Sequence, residues 1–173
     1  MTEQDIYARF NVWCTEMGVV APKLEYPAYF NGARGIGVKQ DIESGEVMCS
    51  VPYSVALTPT KARAIPELAK VFDDHPEIFT KDNYENSEVL IAFLLYEMSK
   101  GEKSIWHLRI KCYTECPRFW NWDQSIIDET QDPSLIRMCK SRAIKYKQQI
   151  QSLLAVFGSY PDLFDQFSFP FCQ

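Results

Sequence analysis

Gly32, Gly35 and Gly37 lie close together in the stretch FNGARGIGVKQDIESGEVMCSVP, and they are the residues here most open to chemistry. Glycine lets main-chain N–H and C=O groups approach a ligand, and it adopts backbone angles that other residues resist. Two readings follow: a turn that cradles a cofactor, or a tight hairpin. GARGIG does not follow a clear strand, does not open a helix and has no Walker lysine, so it is not a phosphate-binding loop. Local physics alone favours the glycine-rich hairpin.

Other reactive side chains are scattered. The six cysteines are Cys14, Cys49, Cys112, Cys116, Cys139 and Cys172, and most sit within apolar patterns. Cys112 and Cys116 form a lone C-x3-C with no second Cys or His pair at zinc spacing, so no metal is expected. Buried thiols in a reducing, intracellular compartment are the reading they favour. His75, in the charged turn DDHPE, reads as solvated. His107, after Trp106 in an aromatic region, reads as a packing residue with a satisfied ring nitrogen. Asp73 and Asp74 read as a solvated face, and no Ser/His/Asp or Cys/His/Asn grouping stands out.

The elements that would hold these residues follow from periodicity. Thr2, with Asp5 three positions on, caps a first helix whose apolar face is Ile6, Phe10, Trp13 and Met17, and Gly18 stops it. Val19 to Phe30, broken by Pro22 and Pro27, reads as extended chain with turns. Gly37 to Ile42 reads as a strand and Ile42 to Gly45 as a turn. Val47, Cys49 and Val51 alternate as a second strand that Pro52 ends, and SVALTP reads as a third. Asn86 or Ser87 caps a helix starting near Glu88. Val89 to Leu95 is apolar all round, so this helix is buried on most sides, and Lys100 and Gly101 end it. SIWHLRIKCYTECPRFWNW reads as a packed loop with short helical turns. Ser134 caps a long helix that carries Ile136, Cys139, Ala143, Tyr146, Ile150, Leu153 and Phe157 at helical spacing. The tail holds Phe167, Phe169 and Phe171, which need a surface to pack on.

The 173 residues suffice for one sizeable core. A net charge of -5 argues against nucleic acid or an anionic membrane as the default partner. No N-terminal stretch reads as a signal peptide, and no apolar run is long enough to span a bilayer.

Several segments, taken in order, resemble a known family. GARGIGVKQDIESGEVMCSVP resembles the first motif of SET-domain methyltransferases: a G-x-G turn, a strand, an I-x-x-G-E turn, a second strand, then V-P. SEVLIAFLLYEMSKGEKSIWHLRI resembles the next segment of the Rubisco large-subunit methyltransferase-like branch, an apolar helix ending in E-x-S-x-G-x-x-S-x-W. The helix after Asp132-Pro133 and the PDLFDQFSF tail follow in the same order. The resemblance implies an α+β chain, the N-terminal half of a SET β-fold with a large α-helical insert. It divides the chain into an N-terminal helix (1–20), an N-terminal SET segment (21–60) and a helical insert (61–173).

The cofactor so implied is S-adenosylmethionine, held by main-chain contacts of Arg34, Gly35, Ile36 and Gly37. The reaction implied is methyl transfer to a protein lysine or, in some members, histidine, with no metal. The family's Asn-His pair and catalytic tyrosine have no counterpart in these residues, so no catalytic residue is assigned and the chain alone is expected to be inactive. Two readings stay open: the N-terminal part of a longer methyltransferase, or a non-catalytic subunit that uses a degenerate SET scaffold to bind partners in a protein complex.

Overall fold

The computed structural model describes residues 2–79, 87–113 and 122–164. In chain order the elements are α1 (Glu3–Glu16), β1 (Leu24–Phe30), β2 (Ala33–Val38), α2 (Pro59–Arg63), α3 (Pro66–Asp74), α4 (Ser87–Ser99), α5 (His107–Lys111), α6 (Gln124–Glu129), α7 (Pro133–Gly158) and α8 (Pro161–Phe164). Helix and strand are mixed, in keeping with an α+β chain. The chain forms two compact units, one of Met1–Thr58 with Lys100–Tyr113, the other of Pro59–Ser99 with Thr114–Gln173.

The first unit starts as its sequence dictates. The Thr2 side chain accepts from the Asp5 N–H and the Asp5 carboxylate accepts from the Thr2 N–H, a complete capping box. The Thr2 hydroxyl also donates to that carboxylate at 2.7 Å, and this bond, with the one from the Thr2 N–H, holds the Asp5 carboxyl below the usual carboxylate range. Gly18, at φ +78°, takes the left-handed position just past the helix. Ile6, Phe10 and Met17 are half-buried and Trp13 is buried, together with Tyr7, which the apolar periodicity does not include.

β1 and β2 form an antiparallel two-stranded sheet, joined by Asn31 at φ +50° and Gly32 at φ +84°. Two left-handed residues in a two-residue loop match the twist of the strands they connect. So 24–30, expected as extended chain with turns, is a strand. Its register shifts between Glu25 and Ala28, and Pro27, which has no N–H to give, sits in that bulge.

The strand expected over Gly37 to Ile42 lies earlier, at 33–38. Lys39 still donates to Lys23 O at 2.8 Å, but before Lys23 the chain turns, with Leu24 N donating to Ala21 O at 3.2 Å, and the ladder stops. The turn before Gly45 forms, with Glu46 N donating to Glu43 O at 3.0 Å. The alternating run Val47 to Val51 is not a strand. Only Ser50 pairs, with Val20, and Val47 is 75% exposed, because period-two patterning makes no strand without a neighbour. SVALTP is likewise no strand: Tyr53–Val55 is a 3-10 turn, and Pro59 opens α2.

The second unit is helical. α3 buries Leu68, Val71 and Phe72 at i, i+3 and i+4. Every residue of α4 is buried or half-buried, as its uniform apolarity predicts. The cap of α7 is Asp132, whose side chain accepts from Ser134 N at 2.8 Å and Leu135 N at 3.2 Å; Pro133, with no N–H to satisfy, is the first helical residue. The expected Ser134 cap is thus displaced by two residues. Along α7 Cys139, Leu153, Val156 and Phe157 are buried, while Tyr146, expected on the inner face, is exposed. Gln149 Nε2 donates to Ser87 Oγ and Glu88 Oε1, tying α7 to the start of α4. Asn86, Cys116, Cys172 and the tail phenylalanines lie outside the described residues.

Candidate functional site

The four residues expected to hold a cofactor all lie on β2, within a strand and not in a turn. Their side chains do different things. Arg34, 22% exposed at its side chain, turns onto α1: its guanidinium donates to the Tyr7 hydroxyl and lies 5.1 Å from the Tyr7 ring centroid and 5.9 Å from that of Tyr26. The Tyr7 hydroxyl in turn donates to Glu3 Oε1 at 2.5 Å. Gly35 faces the Phe30 ring, which a Cβ would meet at 3.3 Å. A Cβ on Gly37 would stand 2.8 Å from Ala28 Cβ and 2.7 Å from Glu25 Oε1. Both glycines are therefore explained by how closely the two strands pack. Ile36, 62% exposed, points into a cleft.

That cleft, about 590 Å³, lies within the first unit. Phe10 and Cys14 of α1, Tyr26 of β1, Ile36 of β2, Cys49 and Arg109 of α5 are among its walls. The volume falls in the range of small-molecule sites, roughly 300–1,000 Å³. Its aromatic wall is tightly built: Phe10 stacks on Trp13 and meets Tyr26 edge-on at 5.7 Å, and Asn11 Nδ2 donates to Tyr26 O at 2.7 Å. Burial raises the Tyr26 hydroxyl above the usual phenol range.

The E-x-S-x-G-x-x-S-x-W residues make local turns and caps. Glu97 is buried within α4 of the second unit, and Ser99 Oγ donates to Tyr96 O at 2.8 Å. In the first unit Gly101 is at φ +56°, the buried Ser104 Oγ accepts from Trp106 N, and Trp106 Nε1 donates to Val55 O at 2.8 Å. Periodicity did not single out Glu97, because it lies past the apolar run that ends at Leu95.

The histidines divide. His107 Nδ1 lies 3.1 Å from Ser104 O, the satisfied packing position expected of it. His75, expected to be solvated, is half-buried, with its Nδ1 3.4 Å from Glu77 Oε1 and its ring edge-on to Tyr160 at 5.9 Å. Asp74 is exposed as expected and accepts from Lys70 and Tyr160. Among the thiols Cys112 and Cys139 are buried, Cys14 is half-buried and Cys49 is exposed, so the expectation of buried thiols fails at Cys49. Among the described residues no three His, Cys, Asp or Glu side chains gather as a metal site, and no helix is long and apolar enough to cross a membrane.

Over 76 residues the chain is 29% identical to Protein SET DOMAIN GROUP 40 of Arabidopsis thaliana, a match covering 44% of this chain and 14% of that protein. The chain thus spans a small part of that relative's length. The match supports a SET-domain relationship. No protein-family model and no solved structure matches the chain.

Proposed function

We propose that this chain is a SET-type protein methyltransferase segment of the Rubisco large-subunit methyltransferase-like branch, contributing one wall of an S-adenosylmethionine site and, by itself, no transferase activity. The similarity to a SET domain group protein carries this reading, and the order of the GARGIG and E-x-S-x-G-x-x-S-x-W segments supports it. When bound, S-adenosylmethionine supplies an activated methyl group. The residues present suit such a ligand through the main chain. Among the described residues β2 pairs only with β1, so no further strand lies along its other edge. An Asn-His pair and a tyrosine supplied by a further segment would complete the site, acting on a protein side chain in a reducing compartment and with no nucleic acid.

A second reading, a non-catalytic subunit on a degenerate SET scaffold, draws on one observation. Val38, Met48, Val51 and Tyr53 of the first unit are all more than half exposed, apolar side chains of the kind a protein partner covers. A titration of S-adenosylmethionine into the 173-residue chain, read by amide chemical shifts, separates the two. Saturable shifts at Gly35, Ile36 and Gly37 support the cofactor site. Unmoved β2 amides at millimolar cofactor favour the scaffold.

A further inference from the structure

Cys14 and Cys49 lie far apart in the chain but line the same cleft. The backbone connects them closely. Val19 N donates to Cys14 O at 2.9 Å, and the next residue, Val20, exchanges two hydrogen bonds with Ser50, at 2.9 and 2.8 Å. Cys49 is exposed and Cys14 half-buried, whereas Cys112 and Cys139 are buried. Lys23 holds Glu46 at 2.7 Å and Val20 holds Ser50, so the segment is pinned at both ends. Between these pins, among the described residues, Val47, Met48 and Cys49 make no backbone hydrogen bond. The Cys49 sulfur can therefore swing toward α1 without breaking a ladder. Arg109 lines the same cleft.

We infer that Cys14 and Cys49 form a peroxide-responsive thiol pair, in which Cys49 is the thiol oxidised first and Cys14 the one that resolves it. The Cys49 thiolate attacks hydrogen peroxide: an S–O bond forms, the O–O bond breaks, and hydroxide leaves as water after taking a proton. The Cys14 sulfur then attacks the sulfenic sulfur: the S–S bond forms, the S–O bond breaks, and a second water leaves with the Cys14 proton. Two thiols lose two electrons and two protons, and peroxide becomes two waters. Burial raises the Cys14 thiol above the usual range, with Arg109 offsetting part of that, which suits a thiol that waits for the sulfenic acid. The resulting bond ties the end of α1 to the segment after β2 and narrows the cleft. This chemistry is independent of methyl transfer.

The test is peptide mapping of the wild-type chain after brief hydrogen peroxide treatment and alkylation of the remaining thiols. The expected product is a peptide joining Cys14 to Cys49 that dithiothreitol separates. Cys14→Ser removes the cross-link and leaves a Cys49 sulfenic acid that dimedone labels, and Cys49→Ser removes both products. Oxidation of Cys49 without the Cys14 cross-link in the wild-type chain overturns the inference. So does pairing of Cys49 mainly with Cys112, Cys116, Cys139 or Cys172, or a Cys49 that peroxide leaves reduced. The wild-type map decides the matter even if a variant fails to fold.

Discussion

The Arg34 guanidinium lies over the Tyr7 ring and donates to its hydroxyl, so the sheet is fastened to α1 by the one charged residue of the GARGIG stretch. The contact is half-buried and charge-assisted. The more distant Glu3 carboxylate, at 3.9 Å and largely exposed, adds little. Arg34→Ala is expected to lower the stability of the first unit by about 1–3 kcal/mol, from the charged hydrogen bond and the cation–π contact together. Arg34→Lys, which keeps the charge but loses the planar fork, should recover only part of that. Urea unfolding followed by tryptophan fluorescence measures both. An unchanged midpoint in Arg34→Ala would remove the fastening role.

Gly37→Ala tests why glycine stands in β2. Its added Cβ would press on Ala28 and Glu25, a close approach that costs about 1–3 kcal/mol in a packed site. Gly35→Ala, with only the edge of the Phe30 ring to displace, should cost less. If both variants unfold like the wild-type chain in urea, the strands do not need glycine at these positions.

Gly32→Ala places a Cβ in open space but at φ +84°. The expected loss is about 1–2 kcal/mol from the left-handed backbone alone, with no change in packing. The same change at Gly158, which is helical and also opens onto free space, should be neutral or mildly stabilising. Thermal unfolding of the two variants side by side gives the contrast.

Asp132→Ala removes the side chain that accepts from Ser134 N and Leu135 N, and should destabilise α7 by about 0.5–2 kcal/mol. Ser134→Ala should be nearly silent. A larger effect at Ser134 than at Asp132, read by helical circular dichroism during urea unfolding, would reverse the cap assignment.

The Asp74 carboxyl is held below its ordinary value, first by the hydrogen bond from Lys70 and then by that from Tyr160. A carboxylate lowered in the folded state contributes stability that is fully present above the unfolded value, about 3.9. It is lost as the pH falls from there through the folded value. Stability of the second unit should therefore decline on acidification below about pH 4, and Asp74→Asn should flatten that decline. Unfolding midpoints measured across the acid range for the two chains test it. Parallel curves would exclude Asp74 as a contributor.

Much of this architecture was legible where local chemistry and burial agree. The Thr2–Asp5 box, the Gly18 stop, the apolar α4 and the Gly101 end each depend on residues within one or two turns, so periodicity and capping identified them. Alternation misled at Val47 to Val51, because a strand exists only where a neighbour accepts its hydrogen bonds. Val20 offers a single bridge there, and Pro22 offers no N–H.

The glycine stretch shows the same division most clearly. Its residue types left two readings open, backbone approached by a ligand or by another part of the chain. Whether that neighbour was a ligand or another strand depended on pairing between distant residues. The fold set Ala28 against Gly35, Glu25 against Gly37 and Tyr7 beneath Arg34. By itself the sequence determined the capped start of α1 and the buried α4, because those follow from neighbours along the chain. Only the tertiary structure decided that Arg34 serves α1, that Ile36 faces a cleft and that Cys14 and Cys49 share it. Those relationships join residues that only folding brings together.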